Sequence, residues 1–125
     1  MTSSTLGIPG STQPPTLMVI VLRCKDIERT QGFYKALGFE FVKEKHGSGP
    51  THLASTTAGF TLELYPVTSA RPVNLVRMGF SVNLASESWA NIDVVTSYTY
   101  EGNRVTVVKD PDGRTIELSN VQRLQ

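Results

Sequence analysis

Near the end of each half of this 125-residue chain stands the same six-residue pattern. Gly59-Phe60-Thr61-Leu62-Glu63-Leu64 and Gly113-Arg114-Thr115-Ile116-Glu117-Leu118 both read Gly-x-Thr-aliphatic-Glu-Leu. A match this short is weak by itself, but the order of predicted elements ahead of it also repeats. The chain therefore reads as a duplicated module, and a duplicated β-rich module restricts the fold to a symmetric α+β arrangement.

The element order follows from local signals. Leu17–Leu22 is apolar on both alternating faces, which predicts a strand covered on both sides. Asp26 suits a helix N-cap, Ile27, Gln31, Tyr34 and Leu37 recur at helical spacing, and Gly38 supplies the left-handed stop. Strands are predicted over Phe39–Lys45, Thr51–Thr56 and Phe60–Tyr65, separated by Gly47-Ser48-Gly49-Pro50 and Ala58-Gly59. The second half repeats the order with a strand over Val73–Val82 and a helix from about Ser86 to Val95 that turns Trp89 and Ile92 inward. A short strand over Tyr98–Tyr100 follows, then strands over Arg104–Lys109 and Arg114–Ser119 around the turn Asp110-Pro111-Asp112-Gly113. The modules span about 17–65 and 73–120 of a single domain. Residues 1–16, rich in Ser, Thr, Gly and Pro, read as a flexible leader, and 121–125 as a tail.

Composition narrows the function classes. Hydrophobic residues at 39% and charged residues at 18% suit a folded globular domain rather than a disordered chain. A net charge of +1 gives no reason to expect a nucleic acid or an anionic membrane as partner. The longest apolar run falls far short of the ~20 residues a membrane helix needs. Cys24 is the only cysteine, which forbids an intrachain disulfide and reads as a small buried thiol in the cytoplasm.

Strand alternation then sorts the side chains. Phe60, Leu62 and Leu64 share one face, with Thr61, Glu63 and Tyr65 on the other. Ile116 and Leu118 likewise oppose Thr115, Glu117 and Ser119. With the apolar faces against helices, Glu63 and Glu117 lie on inner, more polar faces. The parity of Val73–Val82 adds Arg77 to them. His46 and His52 flank the Gly-Ser-Gly-Pro turn and read as surface loop histidines, with a non-standard metal site as the lesser alternative.

The stretch Asp26-Ile27-Glu28-Arg29-Thr30-Gln31-Gly32-Phe33-Tyr34-Lys35-Ala36-Leu37-Gly38-Phe39 resembles the first helix of the glyoxalase/bleomycin-resistance/extradiol-dioxygenase superfamily, the vicinal oxygen chelate fold. Asp110-Pro111-Asp112-Gly113-Arg114-Thr115-Ile116-Glu117-Leu118 resembles its closing hairpin, so the similarity covers about residues 17–120. The resemblance implies two tandem βαβββ modules forming a cupped, partly barrel-like mixed sheet, usually in a homodimer, with the site in the cup. It also implies, in metal-dependent members, two ligands per module, from the first and last strands. The last-strand positions carry over to Glu63 and Glu117, and the first-strand positions fall near Val19 and Arg77. Valine has no donor atom and arginine is a fixed cation, so two of four ligands are missing.

The expectation is therefore a metal-independent protein that binds a small organic ligand through Glu63, Arg77, Glu117 and Tyr65, without a cofactor. Arg77 between the two carboxylates would replace the metal's charge and leave one net negative charge, suited to a cationic or amine-bearing ligand. One alternative is a lyase, isomerase or dioxygenase holding a divalent metal (Ni, Zn, Mn or Fe) on Glu63 and Glu117. Another is a dimeric scaffold without a ligand. In the most local reading the two glutamates are solvated carboxylates on exposed strand faces.

Overall fold

A computed structural model describes residues 13–57, 59–83 and 92–120. The first half contains β1 (Val19–Cys24), α1 (Ile27–Leu37), β2 (Val42–Glu44), β3 (His52–Thr57) and β4 (Phe60–Pro66). The second contains β5 (Met78–Val82), β6 (Val94–Tyr100), β7 (Asn103–Lys109) and β8 (Thr115–Asn120). They build two four-stranded sheets of identical plan, β1-β4-β3-β2 and β5-β8-β7-β6. In each sheet the first strand lies parallel to the last and the other pairs are antiparallel. The duplicated α+β architecture expected from the repeat is present, as two mixed sheets.

The repeated motif occupies equivalent places. Glu63 is the strand partner of Val21 and Glu117 that of Gly79. Gly59 and Gly113, which open the two motifs, sit at φ +91° and +93°. An L side chain is strained there, so glycine recurs because both turns into the closing strands need it.

Helix α1 starts and stops as its sequence dictates. Asp26 is extended (φ −134°), and its carboxylate accepts from the Arg29 amide at 3.2 Å. Gly38 takes the left-handed conformation (φ 119°) and donates to the Lys35 carbonyl. The helix buries Thr30 and Tyr34. One core joins both halves: Leu22, Tyr34, Leu62 and Leu64 cluster with Met78, Val108, Ile116 and Leu118. Phe80 meets the rings of Tyr34 and Phe39 edge-on, at 6.4 and 5.3 Å.

Several boundaries differ from the sequence reading. β5 begins at Met78 because the chain before it is tied down by side chains: Asn74 Oδ1 accepts from the Arg23 amide (2.8 Å) and Asn74 Nδ2 donates to the Val21 carbonyl (2.7 Å). β2 is only three residues long, since Phe39 turns into the core rather than joining the ladder. β6 is longer than expected and takes Val94 and Val95, which the helix prediction had claimed. A Val-Val-Thr run packs more readily on a pleated surface. Ile92 lies in a bend and packs against the core, as expected, while residues 84–91, like the leader's residues 1–12 and the tail, lie outside the described residues. Among those described, no helix is long and apolar enough to cross a membrane.

Candidate functional site

Glu63 and Glu117 lie on the faces of their sheets that turn away from the shared apolar core. Glu63 and Glu117 are each partly exposed, with side chains 19% and 24% accessible. The fold places them equivalently but does not bring them together.

On the second sheet Arg77 lies one residue before β5, and its Nε donates to Glu117 Oε2 at 2.9 Å. Its Nη2 donates to the same oxygen. Hydrogen bonding from Arg77 holds the Glu117 carboxyl below the usual range, and the Tyr98 hydroxyl adds a second bond. The arginine does not bridge two carboxylates, contrary to expectation. Among the described residues its guanidinium pairs with Glu117 and not with Glu63.

On the first sheet Glu63 has different neighbours. His52 and Tyr65 share its face, their rings stacked at 4.1 Å with 9° between planes. The Arg23 guanidinium lies 4.8 Å from the Tyr65 ring centroid. Burial first, then the Glu63 charge, push the Tyr65 hydroxyl above its usual pKa. His52 Nε2 stands 3.2 Å from Glu44 Oε1, 3.3 Å from the Tyr65 hydroxyl and 4.0 Å from Glu63 Oε2. His52 is 1% exposed and opens β3, so it is not the surface loop histidine its neighbouring glycines suggested. The hairpin turns its ring onto the sheet and Tyr65 covers it. The missed signal was strand parity. Glu44 and His52 face each other across the β2–β3 hairpin, as Ala54 faces Glu63.

The strand register revises the positions next to the glutamates to Val21 and Gly79, in place of Val19 and Arg77. A Cβ at Gly79 would find only ordinary contacts, 3.7 Å from the Glu117 carbonyl oxygen. Space for a donor therefore exists there, but the residue has none. The four-donor metal set implied by the resemblance does not fit these side chains. Three clefts of about 420, 500 and 320 Å³ flank α1 and the sheet edges, and none is lined by Glu63, Tyr65, Arg77 or Glu117.

A family model described as Glyoxalase/Bleomycin resistance protein/Dioxygenase superfamily matches residues 16–97. No curated protein matches significantly. Among solved structures, the chain is similar to TnmS3, an antibiotic binding protein from Streptomyces sp. CB03234. Identity is 19% over 87% of this chain and 98% of that one, with a TM-score of 0.67. Lactoylglutathione lyase from Agrobacterium tumefaciens is 17% identical over 87% and 96%, at 0.61. TioX from Micromonospora sp. ML1 is 20% identical over 85% and 98%, also at 0.61. At such identities the structural likeness is one of fold, and fold does not fix chemistry. With the family model spanning β1 into β6, and both sheets built on one repeated plan, the chain belongs to the glyoxalase/bleomycin resistance protein/dioxygenase superfamily.

Proposed function

We propose that this chain is a metal-independent small-molecule-binding protein of its superfamily, acting in the cytoplasm as a homodimer. The observation that carries the reading is the pair of equivalent glutamates beside Val21 and Gly79. The carboxylates are kept, while the positions next to them offer no donor to a metal. A similar fold serves an antibiotic binding protein in TnmS3 and a lyase in the Agrobacterium structure, so the donor set, not the fold, argues for binding here.

Each sheet presents its own glutamate face, and a ligand held on either needs a second surface to cover it. Exposed apolar side chains on those faces favour such a cover: Val19 and Val42 beside Glu63, Tyr98 and Tyr100 beside Glu117. A second copy supplying its other face would complete two cups. The bound molecule is an organic compound whose amine or other cationic group meets Glu63 and whose body lies along Tyr65. Arg77 and Glu117 border it from the opposing sheet.

Thermal-shift screening of small organic compounds in EDTA tests this, since a ligand that binds only the folded state raises the melting temperature. A hit at 100 times its Kd adds about 2.7 kcal/mol. That shift should shrink in Glu63→Gln and Tyr65→Phe. Stabilisation lost in EDTA would restore a metal-dependent reading, and no hit from a folded dimer would favour a scaffold without ligand.

A further inference from the structure

The β2–β3 hairpin gathers three metal-ligating side chains that binding at the glutamate faces does not need. Glu44 ends β2, His46 follows two residues later, and His52 opens β3 as the strand partner of Glu44. The strand register sets Glu44 beside His52, and the turn brings the His46 ring to the same carboxylate. Glu44 Oε1 lies 3.4 Å from His46 Nε2 and 3.2 Å from His52 Nε2, and the three donor atoms fall within 4.8 Å of one another. Donors around a tetrahedral Zn²⁺, at about 2.0–2.1 Å from the ion, stand roughly 3.3 Å apart. The two short edges already match.

His52 adds a second observation. Its Nδ1 lies 3.3 Å from the Pro50 carbonyl oxygen, which anchors one side of the ring, and its Nε2 points at Glu44 Oε1 from 3.2 Å. Metal-bound histidines are oriented in this way, the far nitrogen anchored to a carbonyl and the near one aimed at the ion. The ring is buried and stacked on Tyr65, so little conformational freedom remains to be lost on binding.

We propose that Glu44, His46 and His52 bind a divalent first-row transition cation such as Zn²⁺, with Glu63 placed to serve as a fourth donor or to hold a metal-bound water. Two imidazoles and a carboxylate suit Zn²⁺, Ni²⁺ or Co²⁺ and disfavour Mg²⁺, which takes oxygen ligands. The site shares only Glu63 with the proposed ligand surface, where a zinc-bound carboxylate and an organic cation exclude one another; the three-donor set of Glu44, His46 and His52 stands without it.

Equilibrium dialysis of the EDTA-stripped full chain against ZnCl₂, with MgCl₂ as control, tests the proposal. One equivalent of Zn²⁺ is expected, together with a higher melting temperature and no response to Mg²⁺. Glu44→Gln and His46→Ala alter exposed or half-exposed side chains and should fold, each weakening Zn²⁺ at least about tenfold. Cys24→Ser should change nothing. If Zn²⁺ is not bound stoichiometrically, or binds wild type and both variants alike, the site is wrong. The same contacts then serve only to hold the His52 ring between Pro50 and Glu44. Organic-ligand screening is run in EDTA, so failure of either idea leaves the other measurable.

Discussion

Among the described residues Arg114 is the bulkiest fully buried side chain, and every N–H of its guanidinium is used. Nε donates to the Asn74 carbonyl, Nη1 to Asp110 and Asp112, and Nη2 to the Arg23 carbonyl and to Asn74 Oδ1. The Tyr34 hydroxyl donates to Asp110 at 2.7 Å and the Thr30 hydroxyl to Asp112 at 2.9 Å, so this buried knot ties α1, β1 and the closing hairpin together. Removing one partner of a buried ion pair leaves a charge stranded, which typically costs 3–5 kcal/mol. Urea denaturation of Arg114→Met should show a loss of about that size, and Tyr34→Phe a loss of about 1–3 kcal/mol. Cys24 adjoins the knot, and burial, followed by the Asp112 charge, pushes its thiol up to about 11. At pH 8 only about one thiol in a thousand is then ionised, against roughly a quarter at the unperturbed value. A thiol reagent should leave native protein unmodified at pH 8 and react promptly in guanidinium; prompt native reaction would show that Cys24 is exposed. The buried thiol was legible from its apolar run. Arg114 was not, because its partners Asn74 and Arg23 are 40 and 91 residues away in sequence.

At the level of elements, the motif that repeats in the letters repeats in the strands because each of its positions has a task. The glycine makes the turn, the aliphatic residue and leucine face the core, and the glutamate faces out. Gly113→Ala should destabilise by about 1 kcal/mol or more, since alanine must enter a left-handed conformation, and Gly59→Ala should behave alike. If both substitutions are neutral in denaturation midpoint, the repeated glycine has another cause. The helix caps were equally legible, being local. What the letters hid was the consequence of Arg77 lying before β5: at 65% side-chain exposure its bond to Glu117 is screened by water. Arg77→Met should therefore change stability little, where a guanidinium buried between two carboxylates would have made the loss large. The sign with pH is fixed. Glu117 is held below its ordinary value of 4.5, so the pair's contribution is complete above that value and fades as pH falls through the lowered one. The wild-type advantage over Arg77→Met should be present at neutral pH and gone in strong acid.

At the scale of the whole molecule, sequence parity placed Glu63 and Glu117 on polar faces but left open whether those faces meet. That depends on how the sheets pack, and packing is decided by α1. Tyr34, Phe39 and Phe80 join the apolar sides of both sheets into one core, and among the described residues no ion pair links Glu63 with Arg77 or its partner Glu117. A cup must then come from two chains, or the faces remain open. Val19 and Val42, 48% and 62% exposed on the Glu63 face, distinguish these cases because neither supports the core. Val19→Asp with Val42→Asp would place carboxylates beside Glu63, where a facing copy must desolvate them. Sedimentation velocity should show a wild-type dimer and a folded monomer for the double variant, with ligand-dependent stabilisation lost alongside. A variant that remains dimeric would move the interface to another surface, and a monomeric wild type that still binds ligand would mean that a single open face suffices.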